Sequence, residues 1–114
     1  MAEYYLAVDI GASSGRHMIG SLKDGKICLE EIYRFPNGMK REDGCLCWDV
    51  KALFYEIKEG LKRCKEIGKI PSFMGIDTWA VDFVLLDEND KMLGDGMFAA
   101  GEDFDLTFGL MHTA

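Results

Sequence analysis

The chain has 114 residues, 48% of them hydrophobic and 29% charged, with a formal net charge of −7. That length holds one small domain with one core, and its acidic balance repels phosphate backbones, which argues against nucleic-acid binding. No apolar run reaches the ~20 residues that cross a bilayer, and the start MAEYYLAVDI lacks the basic stretch of a signal peptide, so the expected setting is cytoplasmic, with no membrane partner.

Residues 3–10, EYYLAVDI, are a strongly apolar strand candidate. RHMIGSL at 16–22 is a second, and KDGK at 23–26 carries the Asp-Gly pair that marks a tight hairpin. ICLEEIYRF at 27–35 is a third strand, with Ile27 and Leu29 alternating with charges before Ile32. Three consecutive hairpin strands make an antiparallel meander.

PNG at 36–38 interrupts the pattern, and MKREDG at 39–44 reads as a solvated loop. CLCW at 45–48 reads as a short strand. The Cys45-Leu46-Cys47 spacing has one intervening residue, not the two usual at zinc, and no histidine lies near. The four cysteines are expected as free thiols. Asp49 sits where a helix N-cap belongs. After it, Val50, Leu53, Phe54, Ile57, Leu61, Cys64 and Ile67 recur at helical spacing, and Gly68 is a natural closing residue.

SFMGIDT at 72–78 reads as a buried strand, and AVDFVLLD at 80–87 as a less regular continuation. ENDK at 88–91 is a turn. Residues 98–114 show no period of either kind. The order predicts a mixed α/β sheet: a three-stranded meander, a crossover helix, then a strand that can pair parallel with the first.

The chemistry concentrates in two stretches. In AVDIGASSGRHMIG, residues 7–20, small residues join two strands, with Asp9 on one side and Arg16 on the other. Small residues let a ligand approach backbone amides, and successive amides in a tight turn form an anion-binding concavity. Ser13 and Ser14 add hydroxyls, Arg16 offers a planar fork for phosphate, and Asp9 can hold a hydrated magnesium ion. The stretch is neither a P-loop nor a dinucleotide fingerprint, because Gly15 precedes Arg rather than Lys-Ser/Thr and no Gly-x-Gly-x-x-Gly is present. On spacing alone, an ordinary hairpin with a surface Arg remains the alternative. In GIDTWAVDFVLLD, residues 75–87, Asp77, Thr78, Trp79 and Asp82 crowd a strand end. Trp79 offers an apolar face to a sugar and Asp82 can accept from hydroxyls; a core aromatic and a turn cap are the plain alternatives. His17 reads as a surface or hydrogen-bonded residue.

AVDIGASSGR, IYRFPNG, WDV and GIDTWAVDFVLLD occur in an order and spacing similar to the FGGY carbohydrate kinases. These belong to the ribonuclease H-like, actin-like ATPase superfamily. The second long motif points to the branch that acts on L-rhamnulose. The resemblance covers about residues 4–96 and implies an incomplete N-terminal portion of that fold. It implies ATP-dependent, magnesium-assisted phosphorylation of a terminal hydroxyl of a ketose, L-rhamnulose or a relative such as L-fuculose. By position, Asp9 resembles the aspartate associated with magnesium, through water. Gly11, Ala12, Ser13, Ser14, Gly15 and Arg16 resemble the turn that meets the ATP phosphates. Trp79, Ala80 and Asp82 fall in the sugar region, with Ala80 where the family has glycine. The family's general base lies beyond this sequence, so no catalytic residue is assigned within it. Residues 97–114 lack the arginines the family carries there, and are expected to be an unrelated tail produced by truncation or a frame change. Small-molecule sugar and nucleotide are the implied partners. The alternative is a non-catalytic half-domain that binds phosphate weakly or only self-associates through an exposed sheet edge.

Overall fold

A computed structural model describes residues 3–42, 44–79 and 84–92. The elements in order are β1 (Tyr4–Ile10), β2 (Ser14–Lys23), β3 (Lys26–Pro36), β4 (Lys40–Glu42), β5 (Cys45–Cys47), α1 (Val50–Glu66) and β6 (Pro71–Asp77). They fall into two units: Met1–Asn37 with Ala52–Trp79, and Gly38–Lys51 with Ala80–Ala114.

The first unit is a four-stranded sheet in the order β3-β2-β1-β6, with β1 antiparallel to β2 and parallel to β6. This is the expected meander followed by a helical crossover. The β2–β3 turn carries Asp24 at φ 52° and Gly25 at φ 76°. Two successive positive φ values define the hairpin turn whose twist matches the strands, and Asp-Gly adopts it at low cost. Between His17 and Met18 the pairing with β3 slips, from Tyr33 to Glu31, leaving Ile32 as an extra residue. That bulge explains the broken alternation in the sequence. It puts Ile27 and Leu29 on one face of the sheet, and Tyr33 and Phe35 on the other.

α1 covers that second face. Leu6, Val8, Ile10, Ile19, Phe35 and Cys64 form the buried core, with Leu53, Ile57 and Leu61 packed against it. Burying each such side chain contributes roughly 1.5–3 kcal/mol. Phe54, expected on the apolar stripe, is exposed instead, with Lys58 Nζ 4.8 Å from its ring centroid. The helix ends as predicted. Gly68, at φ 71°, donates to the Lys65 carbonyl at 3.1 Å, and Lys69 donates to the Cys64 carbonyl at 2.9 Å. This pair satisfies carbonyls that the helix end leaves open. Arg63 and Lys65 in the last turn complement the dipole there.

His17 is not a surface residue. It is fully buried, and its Nε2 donates to the Ile57 carbonyl of α1 at 3.2 Å. Its ring meets Tyr33 edge-on at 5.5 Å between centroids. Its Nδ1 has no partner. Tyr33 continues the contact between β3 and α1, donating to Glu56 Oε2 at 2.5 Å, which helps push the tyrosine up to about 12. Burial lowers the His17 pKa, and the Ile57 bond and the Glu56 charge oppose this only in part. The folded chain therefore binds fewer protons at His17 than the unfolded chain does. Its contribution is fully present above the unfolded histidine value of about 6.5 and is lost as pH falls below it. Thermal melts from pH 7.5 to 5 are expected to show a falling midpoint that flattens in His17→Leu; parallel profiles for the two proteins would count against a buried neutral imidazole.

Two further sequence expectations are corrected. Residues 39–44 are not all loop, because Lys40–Glu42 pair antiparallel with Cys45–Cys47, and Gly44 at φ 83° supplies the reversal between them. β6 is a strand as expected but is not buried: Phe73, Met74 and Ile76 are all exposed. It is an edge strand, and no second layer covers it among the described residues. The expected turn at 88–91 is present, with Asp87 Oδ1 accepting from the amides of Asn89 and Lys91 at 2.7 and 2.9 Å. Of the continuation at 80–87, residues 80–83 lie outside the described residues, and 84–87 contribute only a bridge between Leu86 and Met92.

Among the described residues, no element covers the face of the sheet opposite α1. A trough of about 680 Å³ crosses it, lined among others by Tyr5, Ala7, Met18, Leu22, Ile27 and Leu29. Ala7, Gly20 and Gly75 give it a floor of small side chains.

Candidate functional site

Asp9 ends β1 on the open face, and its ladder partners are Arg16 of β2 and Asp77 of β6. Residues paired across a sheet share a face, so two carboxylates and one guanidinium line its rim at the C-terminal ends of two parallel strands. Ligands of open α/β sheets bind at such ends. Arg16 Nε lies 3.6 Å from Asp9 Oδ2, too long for a hydrogen bond. That nitrogen is buried and has no hydrogen-bond partner. Asp9 thus steers the guanidinium without satisfying it.

The bend beside them is tighter than the sequence suggested. Ser14, Gly15 and Arg16 already belong to β2, so the turn proper is Gly11, Ala12 and Ser13. The Gly11 amide is unavailable to a ligand, because it donates to the Ser14 carbonyl at 2.8 Å. The amides of Ala12 and Ser13 make no backbone hydrogen bond among the described residues. Gly15 is small for a different reason from the one expected. A Cβ there meets Phe35 Cζ at 2.1 Å, so the aromatic ring fills its side-chain space from the helix-covered face.

A phosphate group fits this arrangement. Among the described residues, the Ala12 and Ser13 amides without a backbone partner, the hydroxyls of Ser13 and Ser14 and the orphaned Arg16 Nε are donors open to an acceptor. A hydrated magnesium ion fits the carboxylates of Asp9 and Asp77, since it takes one or two carboxylates and completes its shell with water and phosphate. No cluster of three or more His, Cys, Asp or Glu suited to a metal occurs among the described residues. Sequence reasoning placed Asp77 at the strand end without a role. Its parallel register with Asp9 is the missing signal, and only the crossover topology supplies it.

Of the residues expected near a sugar, Trp79 is half-buried and packs against the core cluster. Ala80 and Asp82 lie outside the described residues. Asp49, expected as N-cap, directly precedes α1, and its carboxylate accepts from Lys40 Nζ at 2.8 Å. Cys47 and Cys64 are buried and Cys28 is exposed, and none of the three is in a disulfide. No described helix is long and apolar enough to cross a membrane.

Two solved structures share this architecture. A gluconate kinase from Lactobacillus acidophilus superposes with a TM-score of 0.65 at 14% identity, over 85% of this chain and 19% of the other. A xylulose kinase from the same organism gives 0.63 at 14%, over 83% and 19%. The chain therefore carries part of the α/β sheet of the actin-like ATPase fold used by FGGY carbohydrate kinases. Its sequence resembles rhamnulokinases specifically. That of Halalkalibacterium halodurans is 62% identical over 94 residues, which is 82% of this chain and 20% of the relative. That of Bacillus subtilis is 47% identical over 110 residues, 96% of this chain and 23% of the relative. The second match extends into residues 97–114. The chain spans about a fifth of the length of the curated relatives it matches. No family model matches it.

Proposed function

We propose that this chain supplies the phosphate-facing bend of an ATP-dependent ketose kinase, with L-rhamnulose, or the related L-fuculose, as the sugar. The observation that carries this reading is the pair of free amides at Ala12 and Ser13 beside the unsatisfied Arg16 Nε. The resemblance to rhamnulokinases supplies the substrate class.

In phosphoryl transfer the protein mainly positions groups and stabilises charge. Bound ATP with magnesium supplies the transferred phosphoryl group. The Ala12 and Ser13 amides and Arg16 hold phosphate oxygens, and Asp9, with Asp77 beside it, orients water around the metal. Trp79, Ala80 and Asp82 are assigned to the sugar side, with alanine at position 80 where the family has glycine. The base that takes the proton of the sugar hydroxyl is assigned to no residue of this chain.

Calorimetric titration with magnesium ATP tests the reading. Saturable binding by the wild-type chain is expected, weakened at least tenfold in Arg16→Ala, since a charge-assisted hydrogen bond contributes about 1.5–3 kcal/mol. Equal affinity in the two proteins contradicts it. Because no base is assigned, the 114-residue chain is expected to show no turnover of L-rhamnulose in an assay coupled to ADP formation. Turnover at the rate of a full-length kinase refutes that expectation.

A second reading, self-association, rests on β6. Its outer edge has no partner among the described residues, and Phe73, Met74 and Ile76 stand exposed along it. Unpaired edges recruit further strands. Sedimentation equilibrium is expected to show a weight-average mass that rises with concentration and reverts toward the monomer in Met74→Lys, which places a charge on the exposed edge strand. A constant monomer mass at every concentration argues against it.

A further inference from the structure

One residue outside the bend holds two of its three carbonyls. Asn37, just past the end of β3, donates its backbone amide to the Ser13 carbonyl at 3.0 Å and its side-chain Nδ2 to the Gly11 carbonyl at 2.9 Å. A peptide unit is planar and trans, so a carbonyl and the amide that follows it point in opposite directions. Fixing the Gly11 carbonyl toward Asn37 therefore fixes the Ala12 amide away from it. The Ala12 amide is one of the two left without a backbone partner.

We propose that Asn37 is a positioning residue for the phosphate-facing bend: its carboxamide sets the direction in which the Ala12 N–H is presented. The inference rests on the phosphate reading of the site and adds the residue that orients it. Asn37 lies in the IYRFPNG motif, but the motif gives it no role, and PNG by itself reads as a chain breaker. Its side chain acts across 26 residues of sequence separation. Asparagine suits this role because it supplies an uncharged donor on a short, stiff stem, and it sits where Pro36 has already limited the backbone.

The test is Asn37→Asp, which keeps the shape but replaces the donor with an acceptor facing the Gly11 carbonyl. Magnesium ATP binding is measured calorimetrically on the wild type, Asn37→Asp and Arg16→Ala, alongside the amide resonance and exchange rate of Ala12 without ligand. The expected result is about a tenfold weaker Kd in Asn37→Asp, the scale of one lost hydrogen bond. It comes with a shifted, faster-exchanging Ala12 amide and a melting midpoint within a few degrees of wild type. Asn37→Ala, which removes the donor without adding a charge, is expected to fall between the two. A merely structural role moves the melting midpoint and leaves the Kd of the folded chain unchanged, and that outcome overturns the inference. If the wild type binds, Arg16→Ala weakens binding and Asn37→Asp does not, only the role of Asn37 falls. If the wild type does not bind at all, the phosphate reading falls and this inference falls with it.

Discussion

Gly60→Ala is expected to destabilise the chain by about 2 kcal/mol or more, against the direction helix propensity dictates. Alanine inside a helix is worth about 1 kcal/mol over glycine. At this position an added Cβ falls 2.0 Å from His17 Nε2 and 2.1 Å from its Cδ2. Neither atom is the free end of a flexible chain: the ring is fully buried, tied to the Ile57 carbonyl and flanked by Tyr33 and Phe35. The helix must move off the sheet or the imidazole must leave its site. Overpacking of this kind costs about 3 kcal/mol at the upper end of its usual range, which exceeds the propensity gain. In a domain of this size the net change lowers the melting midpoint by about 10 °C. His17→Ala in the same background frees the space and is expected to recover part of the loss, a coupling that identifies the ring as the obstacle. A midpoint that rises in Gly60→Ala shows that the ring does not occupy that space.

The second large effect is at Gly15. Its would-be Cβ lies 2.1, 2.6 and 2.7 Å from three atoms of the Phe35 ring, and Phe35 is only 2% exposed. No propensity gain offsets the clash here, because alanine is not favoured in strands. Gly15→Ala is expected to cost about 3 kcal/mol, with partial recovery when Phe35→Leu is added. Gly75→Ala is the control. An added Cβ there meets nothing within 4 Å, so its effect on a urea midpoint is expected within about 0.5 kcal/mol. Equal losses at the two positions contradict the packing described for Phe35.

These two positions show where sequence reasoning stops. Asp24-Gly25 and Gly68 were legible because their effect is local: each supplies a positive φ at a turn or helix end. The stripe Leu53, Ile57, Leu61, Cys64 was legible because burial repeats every three or four residues. Phe54 lies on the edge of that stripe and stays in solvent against Lys58, which the spacing does not reveal. Gly60 and His17 are 43 positions apart, and neither carries a mark of the other. Gly15 was read as a ligand-facing residue because small residues serve ligands and close packing equally well. The exposure of β6 was illegible for a similar reason. Phe-Met-Gly-Ile suits a strand with or without a covering layer, and the layer is not encoded in the strand itself. The bend was placed correctly in the chain but drawn too long, since Ser14 and Gly15 already pair in the ladder. Asp77 and Asn37 joined the site only when the fold placed them beside Asp9 and Gly11.

The open face opposite α1 has a bearing on handling. Leu22, Ile27 and Leu29 are each more than 60% exposed. An apolar surface of that kind promotes association. Binding measurements therefore need dilute protein and a parallel check of mass.

The decisive measurement is a nitrogen–proton NMR titration of the chain with magnesium ATP, following the backbone amides of residues 11–16 and the Arg16 Nε–H together. Saturable shifts are expected to concentrate at Ala12, Ser13 and Arg16 Nε, with Gly11 moving least because its proton is already bound to the Ser14 carbonyl. Saturation with those three signals unmoved, or with the largest shifts on Gly11 or away from this hairpin, contradicts it.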